Sequence, residues 1–304
     1  MNKPNTRILV AGATGYLGSY IVNELLKQEA DFKALARRRS KLIKMGLVDR
    51  QIEIAQITEV STLKGCCNDI DVVISCVGIT RQKDGLSFMD VDFQANLNLL
   101  EEAEKSGVKK FIYISAFNAP KYRRVRLLNA KERFSERLLA SIKLTPCVIR
   151  PNGYYSDLEE IYAMAKSGRA YVFGQGDVKL NPIHGEDLAQ FCIDVVEKDE
   201  REYDIGGPDV LTVNEIAELA FQAQNKTPKI TYLPDWLRTM SLFFAAKLPE
   251  KLTGSAEFFL TVIEKDMIAP IYGHRKLCDH FQDIFHKKTP LLDESKHERK
   301  NEFH

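Results

Sequence analysis

Gly12-Ala-Thr-Gly15-Tyr-Leu-Gly18 follows directly on the apolar run Arg7–Ala11 (RILVA) and opens a helical pattern over Tyr16–Gln28. Strand, glycine turn and helix in that order decide the fold. Gly12 permits the tight turn. Gly15 lets the backbone come close to a pyrophosphate, and Gly18 lets the helix pack against the strand. The helix start then offers unpaired N–H groups and a partial positive charge to phosphate oxygens. Gly12, Thr14, Gly15, Tyr16, Leu17 and Gly18 are therefore expected to hold a dinucleotide.

Outward from this loop, Phe32–Ala36, Asp71–Val77 (DVVISCV), Lys110–Ser115 (KFIYIS) and Thr145–Arg150 (TPCVIR) read as further buried strands. Helices are expected over about Asp90–Ser106 and Asn129–Ile142. Continuous apolar strands alternating with helices mean a parallel sheet covered on both faces. The fold class is α/β, a doubly wound parallel Rossmann sheet with a smaller, helix-rich C-terminal substrate lobe. The Rossmann core is placed at residues 1–155. A lobe interleaved with it is placed at 156–290, and a charged, frayed tail at 291–304. In the lobe, Asn181–Ile183 and Lys229–Leu233 are expected to be extended, with helices over Gly185–Glu197 and Val213–Gln224. Thr212 is the expected N-cap of the last of these.

The second strand ends at Ala36-Arg37-Arg38-Arg39. An NAD site usually places Asp or Glu here for the ribose hydroxyls. An arginine fork instead suits a 2′-phosphate. Arg37, helped by Arg38 or Arg39, therefore predicts NADP(H) as cofactor, with NAD the alternative.

The net charge of +1 and the 28% of charged residues give no reason to expect a nucleic-acid partner. The six cysteines show no C-x-x-C spacing and no accompanying histidine cluster, so neither a disulfide framework nor a metal site is expected. The N-terminus lacks the apolar stretch of a signal peptide, and Trp236–Leu248 is too short to span a bilayer. Both point to a cytoplasmic protein.

Taken together these segments resemble the short-chain dehydrogenase/reductase superfamily, in its extended and atypical branches. GATGYLG looks like the glycine motif, DVVISCVG like the fourth strand under the cofactor, and GVKKFIYISA like the fifth strand ending at Ser115. VIRPNGYY resembles the segment beside the nicotinamide, and NPIHGEDLA and YDIGGPDVLTVNEIAELA resemble later segments. The resemblance covers about residues 7–224 and points to NmrA-like and isoflavone-reductase-like proteins. It implies hydride transfer between a nicotinamide and a carbonyl, alcohol or alkene. It also implies a cofactor cleft lined by Cys76 and Gly78, with Pro151 and Asn152 near the nicotinamide.

That superfamily normally uses a Tyr-x-x-x-Lys pair, with tyrosine as general acid. Here Lys131 matches the lysine, but Leu127 stands where tyrosine belongs. Tyr162-Ala-Met-Ala-Lys166 has the spacing, yet follows the sixth strand instead of preceding it. Lys131 is thus expected to hold the ribose, or to act as an acid/base with depressed pKa, as the isoflavone-reductase-like branch uses its lysine. Ser115 is the second catalytic candidate. Tyr154 and Tyr155 are weaker substitutes for the acid, and His184, beside a helix start, is expected to be structural. Asp92 and Asn96 share a helix face and either reach neighbouring loops or meet solvent. Arg81 and Lys83 could meet an anionic substrate from the loop after the fourth strand. The apolar stretch Leu233–Leu248 could cap a pocket, form an interface with a partner or membrane, or pack in the core.

Two functions fit. One is an NADP(H)-dependent oxidoreductase acting on a small or medium apolar molecule. The other is a non-catalytic NADP(H)-binding sensor or assembly factor that regulates a protein partner. A homodimer is common in the family that this chain resembles.

Overall fold

All four positions of Ile8–Ala11 and of Val72–Ser75 are buried, a pattern that suits a strand covered on both sides. The computed structural model describes residues 6–79 and 85–288. The chain runs through β1 (Ile8–Ala11), α1 (Tyr16–Lys27), β2 (Phe32–Ala36), α2 (Arg39–Lys44), β3 (Ile52–Ile54), α3 (Val60–Leu63), β4 (Val72–Ser75), α4 (Asn96–Lys105), β5 (Lys110–Ile114), α5 (Arg126–Leu139) and β6 (Thr145–Pro151). It continues through α6 (Glu159–Ser167), β7 (Ala170–Phe173), β8 (Lys179–Leu180), α7 (Gly185–Asp194), β9 (Glu202–Ile205), β10 (Leu211–Thr212), α8 (Val213–Gln222) and β11 (Ile230–Leu233). It then ends in α9 (Asp235–Ala245), α10 (Glu250–Val262) and α11 (Leu277–Lys288).

Seven parallel strands form one sheet in the order β3-β2-β1-β4-β5-β6-β9. The period of two is hidden by the uniformly apolar composition but plain in the packing. Ile8 and Val10 enter one layer with Leu17 and Ile21 of α1 and Leu188 of α7. Leu9 and Ala11 enter the other, with Leu99 of α4 and Phe134 of α5. The strand order reverses between β1 and β4, so a crevice opens outside their carboxyl ends, where open α/β sheets bind ligands.

The lobe has its own core of Tyr155, Tyr162, Phe221 and Phe281, shared by α6, α8 and α11. Two small sheets edge it, β11 parallel to β7 and β10 antiparallel to β8. Helix α7 and strand β9 return to the main sheet, so the lobe is interleaved with the core. Thr212 caps α8 as its spacing predicts: Thr212 Oγ1 accepts the Glu215 N–H at 3.1 Å and Glu215 Oε2 accepts the Thr212 N–H at 2.7 Å.

Three local expectations change. Asn181–Ile183 forms no ladder beyond a single bridge from Ile183 to Tyr154, because the buried Asn181 side chain is bonded to three other segments. Helix α5 begins at Arg126, ahead of the expected Asn129. The helix preceding β5 starts as a π-helix, Met89–Ala95, before continuing as α4. Arg81, Lys83 and the tail at 291–304 lie outside the described residues. No helix among the described residues is long and apolar enough to cross a membrane.

Candidate functional site at the reversal of strand order

Gly12 sits at φ +76°, a conformation that favours glycine, and a Cβ there would lie 3.0 Å from the Cys76 carbonyl group. This turn carries the chain from β1 over the end of β4. The Gly15 N–H donates to the Gly12 carbonyl at 2.9 Å, and α1 starts immediately after. A Cβ on Gly18 would stand 2.2 Å from that same carbonyl oxygen. The helix can therefore approach the loop only through glycine.

Beside the turn is a cleft of about 350 Å³ lined by Gly12, Thr14, Gly15, Arg37, Cys76 and Gly78, among others. Arg37 stands where β2 ends, and no carboxylate occupies positions 36–39. Arg38 is exposed as the N-cap of α2. The wall beyond Arg37 is Ala55–Thr58, which sequence reasoning missed. It follows β3, which is only three residues long and carries no motif. Asn98 Nδ2 donates to the Ile57 carbonyl at 3.0 Å and fixes this wall to α4. Burial pushes the Cys76 thiol up to about 12, so it stays protonated and lines the cleft as an apolar group.

The other predicted binding residues are distributed differently. Leu17 belongs to the core between α1 and the sheet. The Tyr16 hydroxyl accepts the Gly185 N–H at 3.2 Å, and its ring packs on Tyr20 and Tyr154, tying α1 to α7. Asn152 Nδ2 donates to Asn181 Oδ1 at 2.6 Å and to the Met267 carbonyl at 2.5 Å, binding the end of β6 to the lobe. Pro151 is the last residue of β6. Arg150, before it, pairs with Glu132 at 3.0 Å and Glu202 at 2.7 Å, which fastens α5 to the sheet.

At the other end of the cleft lies a buried charge pair. Lys131 Nζ is 3.0 Å from Asp92 Oδ1, with the Lys131 side chain nearly buried and Asp92 fully so. Asp92 Oδ2 accepts the Ile79 N–H at 3.2 Å. A Cβ on Gly78 would fall 2.6 Å from Asp92 Oδ1 and 2.9 Å from Lys131 Nζ, so the pair rests directly against this glycine. Asn96 braces the same turn: Ser75 Oγ donates to its Oδ1 at 2.6 Å, and its Nδ2 donates to the carbonyls of Val77, Val91 and Asp92 at 3.1–3.2 Å. Asp92 and Asn96 thus reach neighbouring loops and do not meet solvent. Asp92 lies in the π-helical turn, a deviation frequent at functional sites.

Burial alone would depress the Lys131 ammonium, yet its pKa is raised, because the Asp92 carboxylate and the Tyr113 hydroxyl favour the charged form. The depressed-pKa expectation for Lys131 therefore runs against the observed surroundings, which hold it as a cation. Leu127, one turn before Lys131, is buried with Phe88, Ala119 and Val125, so no acid stands at the tyrosine position. The buried Ser115 Oγ has no hydrogen-bond partner among the described residues. Buried polar atoms are normally satisfied, so this hydroxyl suits a polar ligand at the end of β5.

Tyr162 belongs to the core of the lobe and stacks on Phe281. The Tyr155 hydroxyl donates to the Arg275 carbonyl at 2.7 Å. Tyr154 packs into the core beside Tyr16. His184 Nδ1 caps α7 by accepting the Glu186 N–H at 3.2 Å, and burial holds its pKa down to about 4.

A family of NAD(P)H-binding domains matches residues 12–199. The chain belongs to this NAD(P)H-binding family. It stands within the atypical short-chain dehydrogenase/reductase superfamily. It is 30% identical over 276 residues to the chloroplastic divinyl chlorophyllide a 8-vinyl-reductase of Zea mays, covering 83% of this chain and 69% of the relative. It is 27% identical over 246 residues to the photosystem II assembly factor Ycf39 of Synechocystis, covering 78% and 75%. Among solved structures, the Escherichia coli NADPH-dependent quinone oxidoreductase QOR2 complexed with NADPH superposes with a TM-score of 0.69. That likeness covers 91% of this chain and 99% of the other at 17% identity, and shows the fold.

Proposed function

We propose that this protein is an NADP(H)-dependent oxidoreductase that reduces a polarised carbon–carbon double bond in a small or medium apolar molecule. The observation that carries this reading is the buried Lys131–Asp92 pair at the cleft, one helical turn from a leucine. The glycine loop and the start of α1 would take the pyrophosphate. Arg37 would pair with the 2′-phosphate, and Lys131 would donate hydrogen bonds to ribose hydroxyls. The cofactor supplies a hydride.

Reduction of a ketone needs a proton delivered to oxygen as the hydride arrives, and Leu127 cannot deliver one. Reduction of an alkene conjugated to an electron-withdrawing group places the developing negative charge on that group. A fixed ammonium stabilises such charge, and solvent supplies the proton afterwards. Ser115 Oγ, buried and unbonded, would orient the polar end of the substrate. The similarity to an enzyme named for reducing a vinyl group agrees with this chemistry. A second reading, a non-catalytic NADP(H)-binding assembly factor, is favoured by the apolar packing around Leu127 and by the similarity to Ycf39.

The test is calorimetric titration with NADPH, NADP+, NADH and NAD+, followed by NADPH oxidation with a panel of conjugated enones. Arg37→Ala is expected to lower NADP(H) affinity by about 10- to 100-fold and leave NAD(H) unchanged, the range of a charged hydrogen bond. Tight binding without turnover on any acceptor supports the second reading. Absence of binding by all four dinucleotides refutes both.

A further inference from the structure

Helix α9 is built inside out. Its buried residues are Arg238 and Ala245, while Trp236, Phe243 and Phe244 are 60%, 57% and 55% exposed. Arg238 is held inward by Asp235 at 2.7 Å and by the Leu260 carbonyl at 3.1 Å. With Met240, Leu248 and the 75%-exposed Leu252, these side chains make a continuous run of outward apolar groups from α9 into α10. A buried arginine and an exposed aromatic cluster on one helix reverse the usual order, and such patches mark interaction surfaces.

The charges around the patch say what it faces. All four carboxylates between residues 235 and 264 are engaged within the protein. Asp235 pairs with Arg238, Glu257 with Arg126 at 2.8 Å, and Glu264 with Arg124 at 2.7 Å. Glu250 accepts the Phe88 N–H at 2.6 Å. Lys247 and Lys251 are exposed, and among the described residues neither pairs with a carboxylate. Lys247 lies over the Phe243 ring, 3.9 Å from its centroid. The patch therefore presents aromatic and aliphatic groups bordered by unneutralised positive charge. A two-fold pairing of two copies would set these lysines against each other, and the one exposed acid of α9, Asp235, is already paired with Arg238.

We propose that α9 and the start of α10 dock this protein onto an anionic lipid surface, with the aromatic groups in the interface and Lys247 and Lys251 on the headgroups. Such a face is the signature of a helix that lies on a membrane without crossing it.

Trp236 is the single tryptophan of the chain, so its emission reports this surface alone. The experiment mixes the full chain with vesicles of phosphatidylglycerol and phosphatidylcholine, and with phosphatidylcholine alone. It reads Trp236 emission and co-sedimentation. With anionic vesicles the emission is expected to move to shorter wavelength and the protein to sediment with lipid. Each basic residue near such a surface is worth about fivefold in partitioning, so Lys247→Gln with Lys251→Gln should lose about 30-fold. Phe243→Ser with Phe244→Ser should abolish sedimentation while leaving thermal unfolding unchanged, since both rings are exposed. The proposal is overturned by failure to bind anionic vesicles. It is equally overturned by lysine variants that bind as the parent does. A concentration-dependent emission shift without lipid, removed by Phe244→Ser, would assign the face to a second copy and overturn it too.

Discussion

Lys131→Met keeps the length of the side chain and removes its charge, leaving the fully buried Asp92 with the Ile79 N–H as its hydrogen-bond donor. Breaking a buried pair from one side costs about 3–5 kcal/mol. Asp92 has an escape, which is to take up a proton. An ordinary carboxyl lies roughly three units below pH 7, and each unit is worth about 1.4 kcal/mol, so the loss at pH 7 is capped near 4 kcal/mol. The cap falls as pH falls, to about 1.5 kcal/mol at pH 5. The sign follows from linkage: burial already holds the Asp92 pKa above its unfolded value in the parent, and removing Lys131, whose charge lowers it, raises it further. The folded state then binds more protons, and stability drops as pH rises through this window. Urea unfolding followed by far-ultraviolet circular dichroism at pH 5, 6 and 7 measures it, because Trp236 is too exposed to report on the core. Asp92→Asn in the Lys131→Met background should recover most of the loss and abolish the pH dependence. A single variant as stable as the parent at every pH, or a double variant as unstable as the single, would refute the buried pair.

Two further outcomes follow from geometry. Gly18→Ala puts a methyl group 2.2 Å from the Gly12 carbonyl oxygen, where only backbone can move, and should cost about 3 kcal/mol or more and weaken dinucleotide binding together with stability. Thermal unfolding and calorimetry on the same preparation check both. His184→Asn keeps a side chain that can cap α7 but removes a group whose folded pKa of about 4 lies below its unfolded value. The unfolded parent binds the extra proton, so parent stability is lost as pH falls from about 6.5 towards 4. The variant should show a shallower slope across that window in urea titrations, on top of a pH-independent loss from the ring contacts with Tyr20 and Tyr155.

The central sheet was legible because β1, β4 and β5 are buried on both faces and are apolar except for Ser75 at the end of β4 and Lys110 at the start of β5. The glycine turn was legible because each of its glycines answers a backbone requirement. Strand β3 was not, because Ile52-Glu-Ile54 is an edge strand whose Glu53 pairs with Lys33 across the surface. Strand β7 escaped because it pairs only with β11, sixty residues later, outside the main sheet. At the site, the spacing of Asp92 and Asn96 showed that they share a face, but nothing local showed that the face meets Lys131. That contact is made by packing α5 against the π-helical turn, and it reverses the expected effect of burial on the lysine. For Asn152, the sequence showed its place after β6 but not its bonds to Asn181 and to the carbonyl of Met267.

Those amide bonds have a consequence for the order in which the molecule is assembled. Asn181 Oδ1 also accepts the Ala269 N–H at 2.9 Å, and Asn181 Nδ2 donates to the carbonyls of Gly207 at 3.2 Å and Ala269 at 2.9 Å. Four stretches of chain, near residues 152, 181, 207 and 268, are knotted by one pair of side chains. During synthesis the first six strands of the sheet are complete more than a hundred residues before the last of these stretches exists. Until then Asn181 lacks the Ala269 backbone groups that it bonds through both its oxygen and its nitrogen, and the lobe cannot seat fully. A ribosome-bound chain halted before residue 267 would thus carry a formed nucleotide half and an open second half, a natural point for a chaperone or protease to intervene.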